Sequence, residues 1–137
     1  MVLKAAINGY GRVGRNILRA LYESGCRDRV QIVAVNDPGN IDINGYLTEY
    51  DSVMGQFPGT IEVSGNSLVV NGDVIQFLSE PDPRKLPWKP LNIDIVYECT
   101  GLFTSRDKAK AHIASGAPRV LISAPATGVD ATVVFGV

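Results

Sequence analysis

Histidine and cysteine are scarce in this chain of 137 residues. It has one histidine, His112, and two cysteines, Cys26 and Cys99. A structural zinc site needs several such ligands at close spacing, and a disulfide framework needs more cysteines than two. The sequence therefore excludes both, and no metal site is expected.

Long apolar runs and an excess of one charge are also missing. No run approaches the ~20 apolar residues that span a bilayer, and no cleavable signal follows Met1. Thirteen Lys and Arg residues against fourteen Asp and Glu residues give a net charge of -1 without a basic block. We therefore expect a cytoplasmic protein that binds neither membranes nor nucleic acid.

The chain does have enough apolar residues, 45% of the total, for one hydrophobic core. It shows no internal repeat, low-complexity tract or linker, so we expect one domain over residues 1–137. A short apolar run at Leu3–Asn8 predicts a strand, the spacing of apolar residues in Arg12–Ser24 predicts a helix, and Val30–Val35 predicts a second strand. A strand, helix and parallel strand in succession begin a doubly wound sheet.

The remaining segments extend this pattern. The turn dipeptides between short β-rich runs in Phe57–Leu78 predict an antiparallel insertion. Further helices are predicted over Ile41–Tyr50 and Ser105–Ser115, and further strands over Ile93–Glu98, Arg119–Ser123 and Ala131–Val137. The expected fold class is α/β, a Rossmann-type doubly wound and mostly parallel sheet with an antiparallel β insertion.

The motif Gly9-Tyr10-Gly11-Arg12-Val13-Gly14 matches G-x-G-x-x-G and stands between the first strand and the first helix. In this motif the first glycine makes a tight turn, the second lets a pyrophosphate approach the main chain, and the third lets helix and strand approach closely. The free N–H groups at the start of the helix, around Arg12 and Val13, favour an anion. The motif predicts a dinucleotide phosphate at this turn.

Asp37 follows the second strand, 23 residues after Gly14, where a ribose-binding acid is expected. A carboxylate there accepts hydrogen bonds from ribose hydroxyls and repels a 2′-phosphate by about 4 kcal/mol per charge pair. NAD is therefore the expected cofactor, in preference to NADP.

The strand order of this fold places a crevice between the carboxyl ends of strands one and four. Strand one ends at Asn8 and Gly9, and strand four ends near Thr100 and Gly101. We expect the dinucleotide to pass Thr100 and Gly101, with Phe103 as an apolar surface and Ser123 within reach.

The strings AINGYGRVGRNILRALYESG, VNDPG, YDS, DPRKLPW, ECTGLF and VLISAPA occur in this order between Leu3 and Val137. Together they resemble the N-terminal, cofactor-binding domain of phosphorylating glyceraldehyde-3-phosphate dehydrogenases and of the related erythrose-4-phosphate dehydrogenases. INGYGRVGR and ECTGLF are the most specific of these strings.

The resemblance implies a role for several residues in NAD binding. Asn8, Gly9, Arg12 and Val13 would hold the pyrophosphate region, and Asn36 and Asp37 would hold the adenine end and its ribose. Thr100, Gly101 and Phe103 would line the path to the nicotinamide, with Ser123 close to that ring. Pro81 stands where family members often have an arginine that assists a 2′-phosphate, which again favours NAD. Met54 replaces a histidine that is common in the family.

The family's nucleophilic cysteine, in an SCTTN motif, and its base histidine have no counterpart in this sequence. No catalytic residue is therefore assigned, and we expect the chain alone to bind NAD without dehydrogenase activity. Full-length family members are homotetramers and cover part of this domain with a C-terminal helix. The resemblance thus also implies self-association through an uncovered apolar surface.

Two alternatives remain open from the sequence. The chain could be an assembly module without cofactor binding, or it could take another ligand of glycine turns, such as a flavin or S-adenosylmethionine. Among the remaining candidate residues, Cys99 is expected to be a buried and protonated thiol, Trp88 a packing residue, and His112 part of a solvated helix face.

Overall fold

The computed structural model describes residues 2–102, 106–123 and 128. The elements along the chain are, in order, β1 (Leu3–Asn8), α1 (Arg12–Glu23), β2 (Val30–Asn36), α2 (Ile41–Glu49), β3 (Tyr50–Asp51), β4 (Gly55–Gln56), β5 (Ile61–Ser64), β6 (Ser67–Val70), β7 (Asp73–Leu78), β8 (Ile95–Glu98), α3 (Arg106–Ala114) and β9 (Val120–Ile122).

Seven strands form the main sheet, in the order β5-β6-β7-β2-β1-β8-β9. β7, β2, β1, β8 and β9 are parallel to one another, and β5 and β6 join β7 through antiparallel pairings. The parallel part follows the doubly wound order, with β1 at the point where the order reverses. The predicted Rossmann-type α/β fold with an antiparallel insertion is confirmed.

Both faces of the sheet are covered. Alternate residues of a strand point to opposite faces, and those of β1 belong to two different core clusters. Ala5 and Ile7 of β1 belong to one core cluster, which also contains Leu18 of α1. Ala6 of the same strand belongs to a second cluster, which contains the fully buried Trp88. Trp88 is therefore the packing residue that the sequence predicted.

Several short elements were not predicted. β3 and β4 pair as a separate two-stranded sheet, and 3₁₀ turns occur at Cys26–Asp28 and Pro83–Lys85. Such short elements carry too few residues for a periodic signal. The predicted strand at Ala131–Val137 lies outside the described residues. Within the described part of the chain, no helix combines the length and apolar character that crossing a membrane requires.

Candidate functional site

A cavity of about 620 Å³ opens where the carboxyl ends of β7, β2, β1 and β8 meet. This size suits a nucleotide-sized ligand, and the location is the crevice expected for a doubly wound sheet. Its lining residues are Asn8, Gly9, Gly11, Asn36, Asp37, Pro38, Ser79, Glu80, Pro81, Pro83, Cys99, Thr100 and Leu102.

Two of the three glycines in the turn are required by the protein itself. Gly9 has a φ of +92°, and a Cβ on it would lie 2.6 Å from the backbone nitrogen of Thr100. A Cβ on Gly14 would collide with the carbonyl oxygen of Gly9 and lie 3.0 Å from a methyl carbon of Ile7. These two glycines allow the turn and bring α1 close to β1.

Gly11 is required by nothing in the described residues. Its backbone, with φ −76° and ψ −161°, is open to any residue, and a Cβ built there meets no atom within 4 Å. A side chain at this position would instead enter the cavity that Gly11 lines. The space above Gly11 fits an approaching ligand, and a dinucleotide pyrophosphate has the charge that suits the adjacent helix end.

The N-terminus of α1 offers unpaired donors to this space. Gly11 is its N-cap, no side chain caps the helix, and the first turn contains no acidic residue. The first N–H groups of a helix have no intrahelical partner, and the helix dipole makes this end positive. The guanidinium of Arg12 lies beside it, 3.6 Å from the carboxylate of Asp51.

Asp37 lies at the mouth of the cavity and ties the glycine turn to the end of β2. Its Oδ1 accepts a hydrogen bond from the Tyr10 N–H at 2.9 Å, and its Oδ2 accepts one from the Gly39 N–H at 2.9 Å. Each carboxylate oxygen retains acceptor capacity beyond these single bonds. The side chain can therefore position the turn and still accept hydrogen bonds from a ligand.

Asn36, Asn8 and Glu98 form a row of buried side chains under the cavity, which we call the polar row. Asn36 Nδ2 donates to Asn8 Oδ1 at 2.7 Å, and Asn8 Nδ2 donates to Glu98 Oε1 at 2.6 Å. The three residues are 6%, 4% and 2% exposed. They stand at the last positions of β2, β1 and β8, so the row crosses three adjacent strands.

Glu98 is surrounded by donors. Its Oε2 accepts from the N–H of Thr100 at 2.9 Å and from the Thr100 hydroxyl at 2.6 Å. Burial raises the pKa of Glu98, but hydrogen bonds from His112, Thr100 and Asn8 outweigh it and hold the pKa below its usual value. Glu98 is therefore an ionised carboxylate at neutral pH.

His112 completes the surroundings of Glu98, and its predicted exposure was wrong because it is fully buried. It shares the inner face of α3 with Ala109, three residues earlier, whereas Ile113 is 51% exposed. Trp88 Nε1 donates to His112 Nδ1 at 3.0 Å, and His112 Nε2 lies 2.8 Å from Glu98 Oε1. Because an indole N–H only donates, Nδ1 accepts and Nε2 carries the proton that is given to Glu98.

Six of the twelve predicted site residues line the cavity, namely Asn8, Gly9, Gly11, Asn36, Asp37 and Thr100. Arg12, Val13 and Gly14 form the first turn of α1 beside it, and Gly101 follows Thr100. The N–H of Ser123, just after β9, donates to the carbonyl of Glu98 at 3.0 Å. Phe103 lies outside the described residues. The roles of all twelve in binding stay predictions.

The wall at the end of β7 was largely missed by sequence reasoning. Ser79, Glu80 and Pro83 line the cavity, and Pro81 had been noted only through the family resemblance. The signal was available, since β7 is a parallel strand whose carboxyl end must face the same edge as those of β1 and β2. The antiparallel insertion before β7 hid its parallel pairing with β2.

Cys99 also lines the cavity. Burial raises the pKa of its thiol above the usual value, and a hydrogen bond with Ser123 offsets this only in part. The thiol is therefore protonated at neutral pH, as the sequence predicted, and is poorly suited to act as a nucleophile. The described residues contain no group of three potential metal ligands.

A family model for the NAD binding domain of glyceraldehyde 3-phosphate dehydrogenase matches residues 3–106. The chain is 56% identical to the chromosomal glyceraldehyde-3-phosphate dehydrogenase of Cupriavidus necator, 56% identical to that of Pseudomonas aeruginosa and 53% identical to that of Xanthobacter flavus. Each match covers 100% of this chain and 41% of the relative, so the chain spans less than half of their length.

Proposed function

Since this chain belongs to the family of NAD-binding domains of glyceraldehyde 3-phosphate dehydrogenase, we propose that it binds NAD in the crevice above β1. The pyrophosphate lies on the main chain of Gly9, Gly11 and Gly14 and at the N-terminus of α1, with Arg12 and Val13 beside it. The observation that carries this proposal is the open space over Gly11. No contact within the described protein requires a glycine at this position.

Asp37 holds the adenosine ribose in this proposal. Its carboxylate is fixed by the N–H groups of Tyr10 and Gly39, so it offers preorganised acceptors to the two ribose hydroxyls. The same negative charge disfavours the 2′-phosphate of NADP. The resemblance implied that Asn36 also holds the adenine end, and Asn36 lines the cavity next to Asp37.

Thr100, Gly101, Phe103 and Ser123 are proposed to border the nicotinamide half. Thr100 is fixed by two hydrogen bonds to Glu98, which places its main chain against Gly9. When bound, NAD supplies the ring that accepts a hydride in aldehyde oxidation. The contribution of these residues is to orient that ring and to form a wall against water.

We further propose that residues 1–137 act as one cofactor-binding domain of a phosphorylating aldehyde dehydrogenase. Oxidation of an aldehyde by this route needs a reactive thiolate and a base. Cys99 is the thiol of the crevice, and its raised pKa argues against that role. NAD binding without dehydrogenase turnover is therefore the activity proposed for these 137 residues.

A surface for self-association is also available. Five apolar or aromatic side chains of α2 and the β3–β4 hairpin are at least 43% exposed, namely Ile43, Tyr46, Tyr50, Val53 and Met54. Exposed apolar area of this kind favours contact with another protein surface. This supports the predicted tendency to self-associate, without replacing NAD binding as the main function.

Calorimetric titration of NAD into the purified chain tests the main proposal. We expect saturable binding, a large loss of affinity in Gly11→Val because the side chain fills the phosphate space, and a smaller loss in Asp37→Ala. Competition with ADP-ribose should displace NAD, which separates this site from one for a flavin or S-adenosylmethionine. Unchanged heats in both variants, or no binding at all, would favour the assembly module instead.

A further inference from the structure

The polar row joins the two walls of the crevice. At one end, Asn36 makes two hydrogen bonds with the main chain of Glu80, accepting from its N–H at 2.8 Å and donating to its carbonyl at 2.9 Å. At the other end, Glu98 holds the N–H and hydroxyl of Thr100. Glu80 and Thr100 both line the same cavity, and they follow β7 and β8, which are the two outer strands of the four that border it.

Both N–H donors of the Asn36 side chain and its amide oxygen have partners within the protein. Its amide nitrogen donates to Asn8 and to Glu80, and its amide oxygen accepts from Glu80. Asn8 likewise donates to Glu98 and accepts from Asn36. Because an amide nitrogen has two donors and both donors of Asn36 are engaged, a ligand acceptor at this nitrogen would compete with bonds that already exist.

The negative charge of Glu98, at the end of the polar row, makes the loss of one of these hydrogen bonds costly. Glu98 is buried, and its four donors come from Asn8, His112 and Thr100. A buried carboxylate that loses a donor is costly, because water cannot replace the lost bond. His112 is itself fixed in one tautomer by Trp88, so the carboxylate cannot rotate without leaving several donors unpaired.

We propose that Asn36, Asn8 and Glu98 are positioning residues that set the distance between the adenosine-side wall at Glu80 and the nicotinamide-side wall at Thr100. This inference rests on the proposed binding of NAD in the crevice. It differs from the role implied by family resemblance, in which Asn8 and Asn36 touch the cofactor themselves. Breaking the row should therefore weaken the binding of ligands that contact both walls more than the binding of ligands that contact one wall.

The test compares three ligands of increasing length, AMP, ADP-ribose and NAD, by calorimetry on the 137-residue chain. Glu98→Gln removes the carboxylate, and Asn8→Ala breaks the row at its middle while leaving Thr100 bound to Glu98. For each variant we expect NAD affinity to fall about tenfold, roughly the worth of one hydrogen bond to a charged group. AMP affinity should change by less than about twofold, because AMP contacts the adenosine side alone.

Tyr22→Phe is the matched control. It removes the hydrogen bond from Tyr22 to Asp73 at 2.8 Å, at the amino end of β7 and away from the crevice. Thermal unfolding without ligand places the control and the row variants on one stability scale. We expect the control to lower the melting temperature without changing the ratio of NAD to AMP affinity.

A double variant sharpens the test. Asn8→Asp combined with Glu98→Gln moves the single carboxylate one strand along the row, next to Asn36. His112 Nε2 lies 3.5 Å from Asn8 Nδ2, so it can turn its proton toward a carboxylate at residue 8. We expect the double variant to recover part of the NAD affinity lost in Glu98→Gln, an effect that a general loss of stability would not produce.

The outcomes separate this inference from the proposed function. If the unsubstituted chain does not bind NAD, or if Gly11→Val binds it equally well, the proposed function fails. If NAD binds and Gly11→Val abolishes binding, but the row variants weaken all three ligands equally, the positioning role is overturned. Equal affinities of the unsubstituted chain for ADP-ribose and NAD would also overturn it, since no second wall would then be in contact. If Glu98→Gln does not fold, Asn8→Ala decides.

Discussion

The helices α1 and α2 begin in opposite ways. Asn40 caps α2, with its side-chain oxygen accepting from the N–H groups of Asp42 at 2.8 Å and Ile43 at 3.1 Å, and Asp42 adds a negative charge to the first turn. Gly11 caps α1 without any side chain, and that first turn holds Arg12 and no acid.

The difference indicates what each helix end is for. An N-cap side chain and an acid satisfy the free N–H groups and the dipole from within the chain. α2 is completed in this way, while α1 keeps its donors and its positive end available beside the cavity. The missing cap at the mouth of the crevice gives up some helix stability and supports the proposed binding of an anion there.

The largest expected effect comes from giving α1 the cap that it lacks. In Gly11→Asp the new carboxylate should cap the helix and raise the free energy of unfolding by a few tenths of a kcal/mol. The same charge should repel the pyrophosphate by about 4 kcal/mol, roughly a thousandfold in affinity. Urea unfolding and NAD calorimetry on the same samples measure both.

Gly11→Ser is the control for this variant, because it supplies a cap without a charge. The difference in NAD affinity between the two variants isolates the electrostatic part of the loss. Retention of normal NAD affinity in Gly11→Asp would contradict the comparison of the two helix ends.

The second effect concerns the turn that leads into α1. Gly9→Ala must adopt a φ of +92° and place a Cβ 2.6 Å from the Thr100 nitrogen, so we expect a loss of about 3 kcal/mol in unfolding free energy. Gly25→Ala is a matched control, since Gly25 has a φ of +76° but open space around its Cβ. The control should lose about 1 kcal/mol, from the backbone alone. If chemical denaturation showed a similar loss of unfolding free energy in both variants, the contact of residue 9 with the Thr100 main chain would not be sterically tight.

The smallest effect comes from removing the cap of α2. Asn40→Ala should lower the unfolding free energy by about 1 kcal/mol, the usual worth of an N-cap. NAD affinity should stay within about twofold of the original, because the start of α2 is satisfied by the protein and offers nothing to the ligand. A loss of NAD affinity as large as in Gly11→Asp would contradict the view that only the start of α1 is available to the ligand.

Most of the fold was predictable from local patterns. The bounds of β1 and the bounds of α1, to within one residue, followed from apolar spacing and from the glycines that end each run. The parallel pairing of β1 with β2 followed from the helix that joins them, and the place of β8 beside β1 followed from the strand order of the doubly wound fold. The hairpins at Gly65 and Gly72 were signalled by SGN and NGD, and both glycines have positive φ.

Asn8 and Asn36 were predicted as site residues through the family resemblance, but the hydrogen bonds of the polar row were not predictable. Asn8, Asn36 and Glu98 are separated by 28 and 62 residues in sequence, and no periodicity connects them. His112 was misjudged because its neighbours on α3 are polar, and its burial depends on partners from β8 and from the loop that carries Trp88. Such pairings depend on which strands become neighbours in the sheet. Local patterns give the order of the elements along the chain but not these contacts.

Residues close together in the chain were enough to specify the glycine turn, the acid after β2 and the α/β alternation, because each depends on local steric or helical preferences. That Asn36, Asn8 and Glu98 share one line of hydrogen bonds, with a histidine beneath it, emerged only when the chain had folded. Burial and hydrogen bonding act between strand ends that are distant in sequence and adjacent in space, whereas local preferences act only along the chain.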